Sequence, residues 1–187
     1  MTAKDSLITQ TQALLWERGY IGTSPKAIQE RALVGQGSMY HHFKDKADLA
    51  LAAIERSSEE MQREVNDILS ADGTAIERIT ALLRRERDVL RGCRIGRLAQ
   101  DPEVFASSVL RKPVNDTFDM LKRRLSEVLE LGIARKELHG DLNVADTATL
   151  ICAVAQGAYV LARAANSEIP FEHAINGLLL MLDEFAI

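Results

Sequence analysis

Cysteine is scarce: of 187 residues only Cys93 and Cys152 are cysteines. Two thiols do not make a disulfide framework, so a reduced, cytoplasmic protein is expected. Proline is also scarce, with four in the chain, and no segment alternates apolar and polar residues with period two, which argues against a sheet. No apolar run reaches the ~18 residues of a membrane-crossing helix, so no membrane partner is expected. The opening MTAKDSLITQ has neither an apolar core nor a small-residue cleavage site, so no secretory signal is expected. There is no nucleophile–base pair, no Gly-rich phosphate loop and no Glu-x-x-His spacing, so no enzyme, cofactor or metal is expected. His41 and His42 are poor metal ligands, because adjacent helical residues point ~100° apart. Asp45 and Asp48 would complete such a site badly. His139 and His173 stand alone.

What is present is helix. Apolar residues make up 47% and charged residues 27%, the mix of a soluble globular chain. The net charge of −4 is unevenly spread: residues 1–50 carry six Lys/Arg and five Asp/Glu. An N-terminal part that touches a polyanion is permitted but not demanded.

Nine helices are expected. The first, from Ala3 to Arg18, shows Leu7, Ile8, Thr11, Leu14 and Leu15 on one stripe and stops at Gly19. TSPKAIQERA opens a second, short helix, with Thr23 or Ser24 as its cap and Pro25 in its first turn. LVG is the break, and QGSMYHHF the third helix. A longer helix covers roughly 46–69, then another 74–90. CRIGRLAQ and an element starting at Asp101-Pro102 follow. Pro113 marks the start of, or a kink in, a helix that ends near Leu131. Asn143, with Asp146 three residues on, caps a helix reaching Ala165. The last helix runs from Pro170 to about Phe185. The expected domains are 1–46 and 47–187.

The stretch GYIGTSPKAIQERALVGQGSMYHHFKDKADLALAAIE resembles the N-terminal domain of the TetR family of bacterial transcriptional regulators. The matching features are Gly-Tyr, Thr-Ser ahead of helix 2, and Val34 leading into helix 3. A small residue, a hydrophobe, Tyr-x-His-Phe and Lys46 follow. The resemblance covers roughly residues 5 to 55. The rest matches in layout only, with GCRIGRLAQD and ELHGDLNVADTATLI typical of a subgroup. It implies an all-α fold, with a three-helix helix-turn-helix DNA-binding domain and a C-terminal helical domain for ligand binding and dimerisation. The implied function is a homodimeric, ligand-responsive regulator, most simply a repressor, on a near-palindromic double-stranded DNA operator. Two residues depart from the family pattern. Leu33 stands at the turn where glycine is usual, and at φ > 0 it would be strained by about 1–2 kcal/mol. Gln36 replaces the usual basic residue, which bears on the target sequence rather than the docking mode.

A helix-turn-helix lays its second helix in the major groove, which requires one buried and one polar face. Met39 and Phe43 lie within about 40° of each other on a helix and should pack inward. Gly37, Ser38 and His41 then point outward. Gln36 and Ser38 lie nearest the base edges, where a glutamine amide pairs with adenine N6 and N7. Gly37 permits close backbone approach. Tyr40, His42 and Lys46 suit phosphates, as the resemblance also implies, and Lys46 opens a helix whose free N–H groups favour an anion. Thr23 and Ser24 are candidates to donate to a phosphate; Lys26 and Lys44 add unspecific attraction.

In the second half, Gly157, Leu161 and Ala164 form one stripe of a small-residue helix. Ile175, Leu178, Leu179 and Leu182 supply apolar material to the last helix. The resemblance implies that these two helices form the dimer bundle. The candidate effector pocket comprises Cys93, Ile95, Leu98, Phe105, Phe118, Leu121, Cys152, Gln156 and Tyr159, with Gln156 notable as an amide in an apolar helix. Cys93 lies between Arg91 and Arg94 near a helix start, surroundings that favour thiolate. The alternative input is therefore an electrophile or oxidant acting at Cys93.

Overall fold

The computed structural model describes residues 2–187. Ten helices follow in order: α1 Ala3–Arg18, α2 Pro25–Ala32, α3 Gln36–His42, α4 Lys46–Leu69, α5 Ala75–Arg84, α6 Arg94–Ala99, α7 Pro102–Ala106, α8 Ser108–Ala134, α9 Val144–Ala165 and α10 Ile169–Asp183. Among the described residues, the only non-helical pairing is an isolated antiparallel bridge, Leu138 with Ala186. The fold is all-α.

The helix ends follow local chemistry. Thr2 caps α1 by accepting from the Asp5 N–H, and Gly19 closes it at φ 73°. Leu7, Ile8, Thr11, Leu14 and Leu15 are buried, as the stripe predicts. Thr74 and Glu77 form a reciprocal capping box at α5. Asn143 caps α9 through the Asp146 N–H.

Two helices depart from expectation. α5 ends at Arg84, not near Leu90, because the Arg87 guanidinium satisfies its last carbonyls. Arg87 donates to the Leu82 and Leu83 carbonyls at 2.6 and 2.8 Å and to the Arg85 carbonyl at 3.0 Å. α8 begins at Ser108 and runs through Pro113. The proline has no N–H to offer the Val109 carbonyl one turn back, while its own carbonyl accepts from the Thr117 hydroxyl at 2.7 Å and the Ser58 hydroxyl at 3.4 Å.

The chain divides into two compact units, residues 1–60 with 93–117 and residues 61–92 with 118–187. This differs from the expected cut after residue 46. The first half of α4, together with α6, α7 and the start of α8, belongs with α1–α3. In the first unit, α1 packs on α2, α3 and α6. Its core includes Leu7, Leu14, Ile28, Met39, Leu49, Ile54 and Ile95, each under 2% exposed. In the second unit, α10 packs on α9 and α5. The C-terminus is pinned where the His139 N–H donates to the Phe185 carbonyl at 2.9 Å and the Ile187 N–H to the Glu137 carbonyl at 3.1 Å. α9 is the one described helix long and apolar enough to cross a membrane, with a mean hydropathy of 1.5 over its most apolar window. Its buried face, Ala148, Ile151, Cys152, Ala158, Tyr159 and Ala162, suits a core helix equally well.

Candidate nucleic-acid interface

α2 and α3 are joined by a tight turn whose geometry dictates an unusual backbone. The Val34 N–H reaches back to the Gln29 carbonyl at 3.1 Å, and the Leu33 N–H reaches the Glu30 carbonyl at 3.4 Å. This is the Schellman pattern, which requires a left-handed residue at its corner. Leu33 occupies that corner at φ 55°, ψ 40°, with 93% of its surface exposed. The strain anticipated from the missing glycine is present, and the leucine side chain offsets none of it by burial.

α3 has the two faces required. Met39 is fully buried and Phe43 is 5% exposed. Burial of side chains of this size stabilises by about 1.5–3 kcal/mol each, and the Gln29 amide lies 3.3 Å from the Met39 sulfur. Gln36, Gly37, Tyr40 and His41 are exposed, while Ser38 and His42 are half-buried. A Cβ on Gly37 would meet no atom within 4 Å. Nothing inside the fold demands glycine there, though it weakens the helix by up to about 1 kcal/mol. The His41 and His42 rings meet edge-on at 5.0 Å. Among the described residues, no group of three His, Cys, Asp or Glu is placed to hold a metal.

Around α3 some expected contacts change. Thr23 is 1% exposed, and its hydroxyl donates to the Gly19 carbonyl at 2.7 Å. It closes the α1–α2 turn and has no proton left for a phosphate. Ser24 is the cap of α2, accepting from the Ala27 N–H, and remains exposed. Lys26 lies 3.9 Å from Glu30 on an open surface, a pairing worth a few tenths of a kcal/mol at most. The start of α4 is not an empty anion site: Asp45 accepts from the Asp48 N–H at 2.9 Å, and Asp48 accepts from the Lys44 N–H at 3.0 Å. The Lys46 ammonium rests 3.8 Å from the centroid of the Tyr20 ring. Burial first, and then the carboxylates of Glu103, Asp45 and Asp101, push the Tyr20 phenol up from its ordinary value, so the ring beneath Lys46 is neutral.

The nine pocket candidates are divided between the two units. Cys93, Ile95, Leu98 and Phe105 fall in the first unit and the other five in the second. Ile95 and Leu98 are plain core at 0% and 2% exposure, and Phe105 points outward at 65%. Phe118, Leu121 and Gln156 are half-buried, whereas Cys152 and Tyr159 are buried. Burial raises the Cys152 thiol to about 11. Cys93 is half-buried and caps α6, its sulfur accepting from the Gly96 N–H at 3.3 Å.

A cavity of about 470 Å³ lies elsewhere in the second unit, lined by residues 83–87 and Val89 on one side and by Glu168, Phe171, Glu172, Ile175 and Asn176 on the other. None of the nine candidates lines it. Arg87 is its most constrained side chain: besides the α5 carbonyls it donates to the Tyr159 hydroxyl at 3.0 Å and stacks on Phe171 at 5.4 Å. Desolvation is the largest influence on Arg87 and lowers its pKa from the ordinary arginine value. The expectation of a helix reaching residue 90 missed Arg87 as a buried cap of α5.

The expected dimer stripe divides. Gly157, Leu161 and Ala164 are exposed. Ile175, Leu178, Leu179 and Leu182 are buried in the subunit's own core, because α10 turns that stripe inward where it packs on α9. The outward apolar residues are Leu150, Val160, Leu161, Ile169, Leu180 and Met181, each between 42% and 69% exposed.

A family model described as "Bacterial regulatory proteins, tetR family" matches residues 7–53, and one described as "Tetracyclin repressor-like, C-terminal domain" matches residues 74–178. An uncharacterized HTH-type transcriptional regulator in the lacX 3′ region of Lactococcus lactis subsp. lactis is 27% identical over 133 residues, 67% of each chain. The chain spans about two thirds of the length of the curated relatives it matches. The crystal structure of a TetR transcriptional regulator from Chloroflexus aurantiacus superposes with a TM-score of 0.88 at 26% identity, over 98% of this chain and 96% of that one. A cysteine mutant of the regulator CifR, solved with 26-bp double-strand operator DNA, shares the fold with a TM-score of 0.80 at 24% identity over 94% of both chains.

Proposed function

This chain belongs to the tetR family of bacterial regulatory proteins, and we propose from that premise that it is a homodimeric repressor which a small molecule releases from a near-palindromic operator. The observation that carries this reading is the two-faced helix α3, with Met39 and Phe43 buried and Gln36, Gly37, Tyr40 and His41 exposed. Gln36 and Ser38 read base edges, and the open space at Gly37 admits the DNA backbone. Tyr40, His42 and Lys46 hold phosphates, with Ser24, Lys26 and His41 on the same surface.

Two copies join through the exposed apolar residues of α9 and α10, including Leu161 and Leu180. That pairing sets two α3 helices one duplex turn apart, about 34–36 Å. The cavity beside Arg87 and Phe171 supports a small-molecule effector of mixed character, since Leu83, Val89, Phe171 and Ile175 line it together with charged Arg84, Arg85, Glu168 and Glu172. An inducer favours dimers with the wrong α3 spacing, and α4, which runs from one unit into the other, carries the change.

A second reading puts the input at Cys93, a half-buried free thiol whose sulfur accepts the Gly96 N–H at 3.3 Å. Loss of the response to electrophiles or oxidants in Cys93→Ser, with small-molecule release intact, separates the two inputs. Selection from a random duplex pool at about 100 mM salt tests the output. The reading expects two inverted half-sites, retained more weakly by Tyr40→Ala. Retention of unrelated sequences by both proteins contradicts it.

A further inference from the structure

The α1–α2 turn is held by a residue far from it in sequence. Asp101 is 8% exposed, and its carboxylate takes backbone N–H groups from two places. One oxygen accepts from Tyr20 at 2.8 Å and from Ile21 at 3.0 Å. The other accepts from Glu103 at 3.1 Å and from Val104 at 3.4 Å, at the start of α7. Hydrogen bonds to a charged acceptor are roughly twice as strong as neutral ones, and a buried carboxylate deprived of them is costly.

The turn is shaped to admit this carboxylate. A Cβ on Gly19 would stand 3.0 Å from the nearer oxygen of Asp101, and the φ of 73° there is one that favours glycine. On the other side of the turn, Thr23 takes the Gly19 carbonyl with its hydroxyl and the Tyr20 carbonyl with its N–H, at 2.7 and 3.2 Å. Tyr20 is therefore fixed at its backbone by Asp101 and Thr23, and its ring supports the Lys46 ammonium at 3.8 Å.

We infer that Asp101 is a positioning residue for operator binding: by anchoring the Tyr20 and Ile21 N–H groups it sets where the Tyr20 ring presents the Lys46 ammonium to a phosphate. Asp101 touches no DNA and acts through Tyr20. The inference rests on the reading of α3 and Lys46 as an operator surface.

The experiment uses the full-length protein and the duplex enriched from the random pool. Fluorescence anisotropy gives Kd across a salt series for wild type, D101N, K46Q and the double variant, with the active fraction fixed by stoichiometric titration. D101N weakens binding about tenfold, the scale of one charge-assisted hydrogen bond. It lowers the slope of log Kd against log salt by about one per protomer. In the K46Q background D101N adds no further loss, because the contact it positions is already gone. A purely structural role lowers the active fraction and leaves Kd and slope of the folded fraction unmoved. That result, or a D101N loss that multiplies in full with K46Q, overturns the inference. Should D101N not fold, D101E, which keeps the carboxylate on a longer stem, takes its place in the same cycle and is read by the same outcomes. Wild-type protein that enriches no duplex overturns the operator reading and this inference with it, whereas failure at Asp101 alone leaves the operator reading standing.

Discussion

Replacing Leu33 by glycine should make the protein more stable. Leu33 sits at φ 55°, ψ 40°, a conformation that costs a residue with a Cβ about 1–2 kcal/mol. Its side chain is 93% exposed, so removing it forfeits little burial. Glycine brings its own cost, about 0.4–1 kcal/mol, because the unfolded chain gains freedom. The difference leaves about 0.5–1 kcal/mol in favour of the variant, which for a chain of this length raises Tm by about 1–4 °C. Calorimetry at one fixed protein concentration reads the shift, since the Tm of an oligomer depends on concentration. Leu33→Val, β-branched and worse suited to a left-handed corner, should melt below wild type. If the glycine variant melts lower and the valine variant does not, the strain argument fails and the leucine side chain is making a contact that matters.

Gly132→Ala should be destabilising by about 1–3 kcal/mol, because an added Cβ would stand 2.6 Å from the Ala75 Cβ and 2.9 Å from the Leu138 side chain; a denaturant midpoint equal to wild type would refute it. Cys152, raised to about 11 by burial, should resist iodoacetamide at pH 8 while Cys93 reacts, as peptide mapping of the native protein would show. The same raised value ties stability to the protonated thiol. Its contribution is whole below the ordinary value of 9.0 and is lost as pH climbs from there toward 11. Leu180→Glu, at a position 69% exposed, should convert dimer to folded monomer in sedimentation without loss of helix signal. An unchanged sedimentation coefficient would place the interface elsewhere.

The helix-turn-helix was legible because its signals are local. Ser24 ahead of Pro25, Gly19 after Arg18, and Met39 four residues before Phe43 each specify a cap, a stop or a buried face from nearest neighbours. Asp101 shows the opposite case. Its own spacing announces only a helix start, whereas two of the N–H groups it holds lie some 80 residues away. The cavity was missed for a related reason: apolar identity does not separate core from pocket. Ile95 and Leu98 fill space, and the cavity is walled by the arginines that end α5 and by the first turns of α10. The outward apolar face of the last two helices was half legible. α10 is apolar on most sides, so periodicity finds a stripe but not which stripe looks outward. Leu178 and Leu182 went in, and Leu180 and Met181 stayed out. Pro113 was legible as a kink or a start. Proline both opens helices and kinks them, so the residue alone does not say which, and the structure runs α8 through it.

If the exposed face of α3 reads bases, exchanging one reading residue must change the sequence the protein retains. Gln36→Lys and Tyr40→Ala are each put through the duplex selection beside wild type. The account predicts that Gln36→Lys retains two inverted half-sites but changes the preferred base at one symmetric pair of positions, from adenine toward guanine. Tyr40→Ala should weaken retention of all sequences alike. An unchanged motif with Gln36→Lys, or a motif that survives Tyr40→Ala at full affinity, would contradict the account.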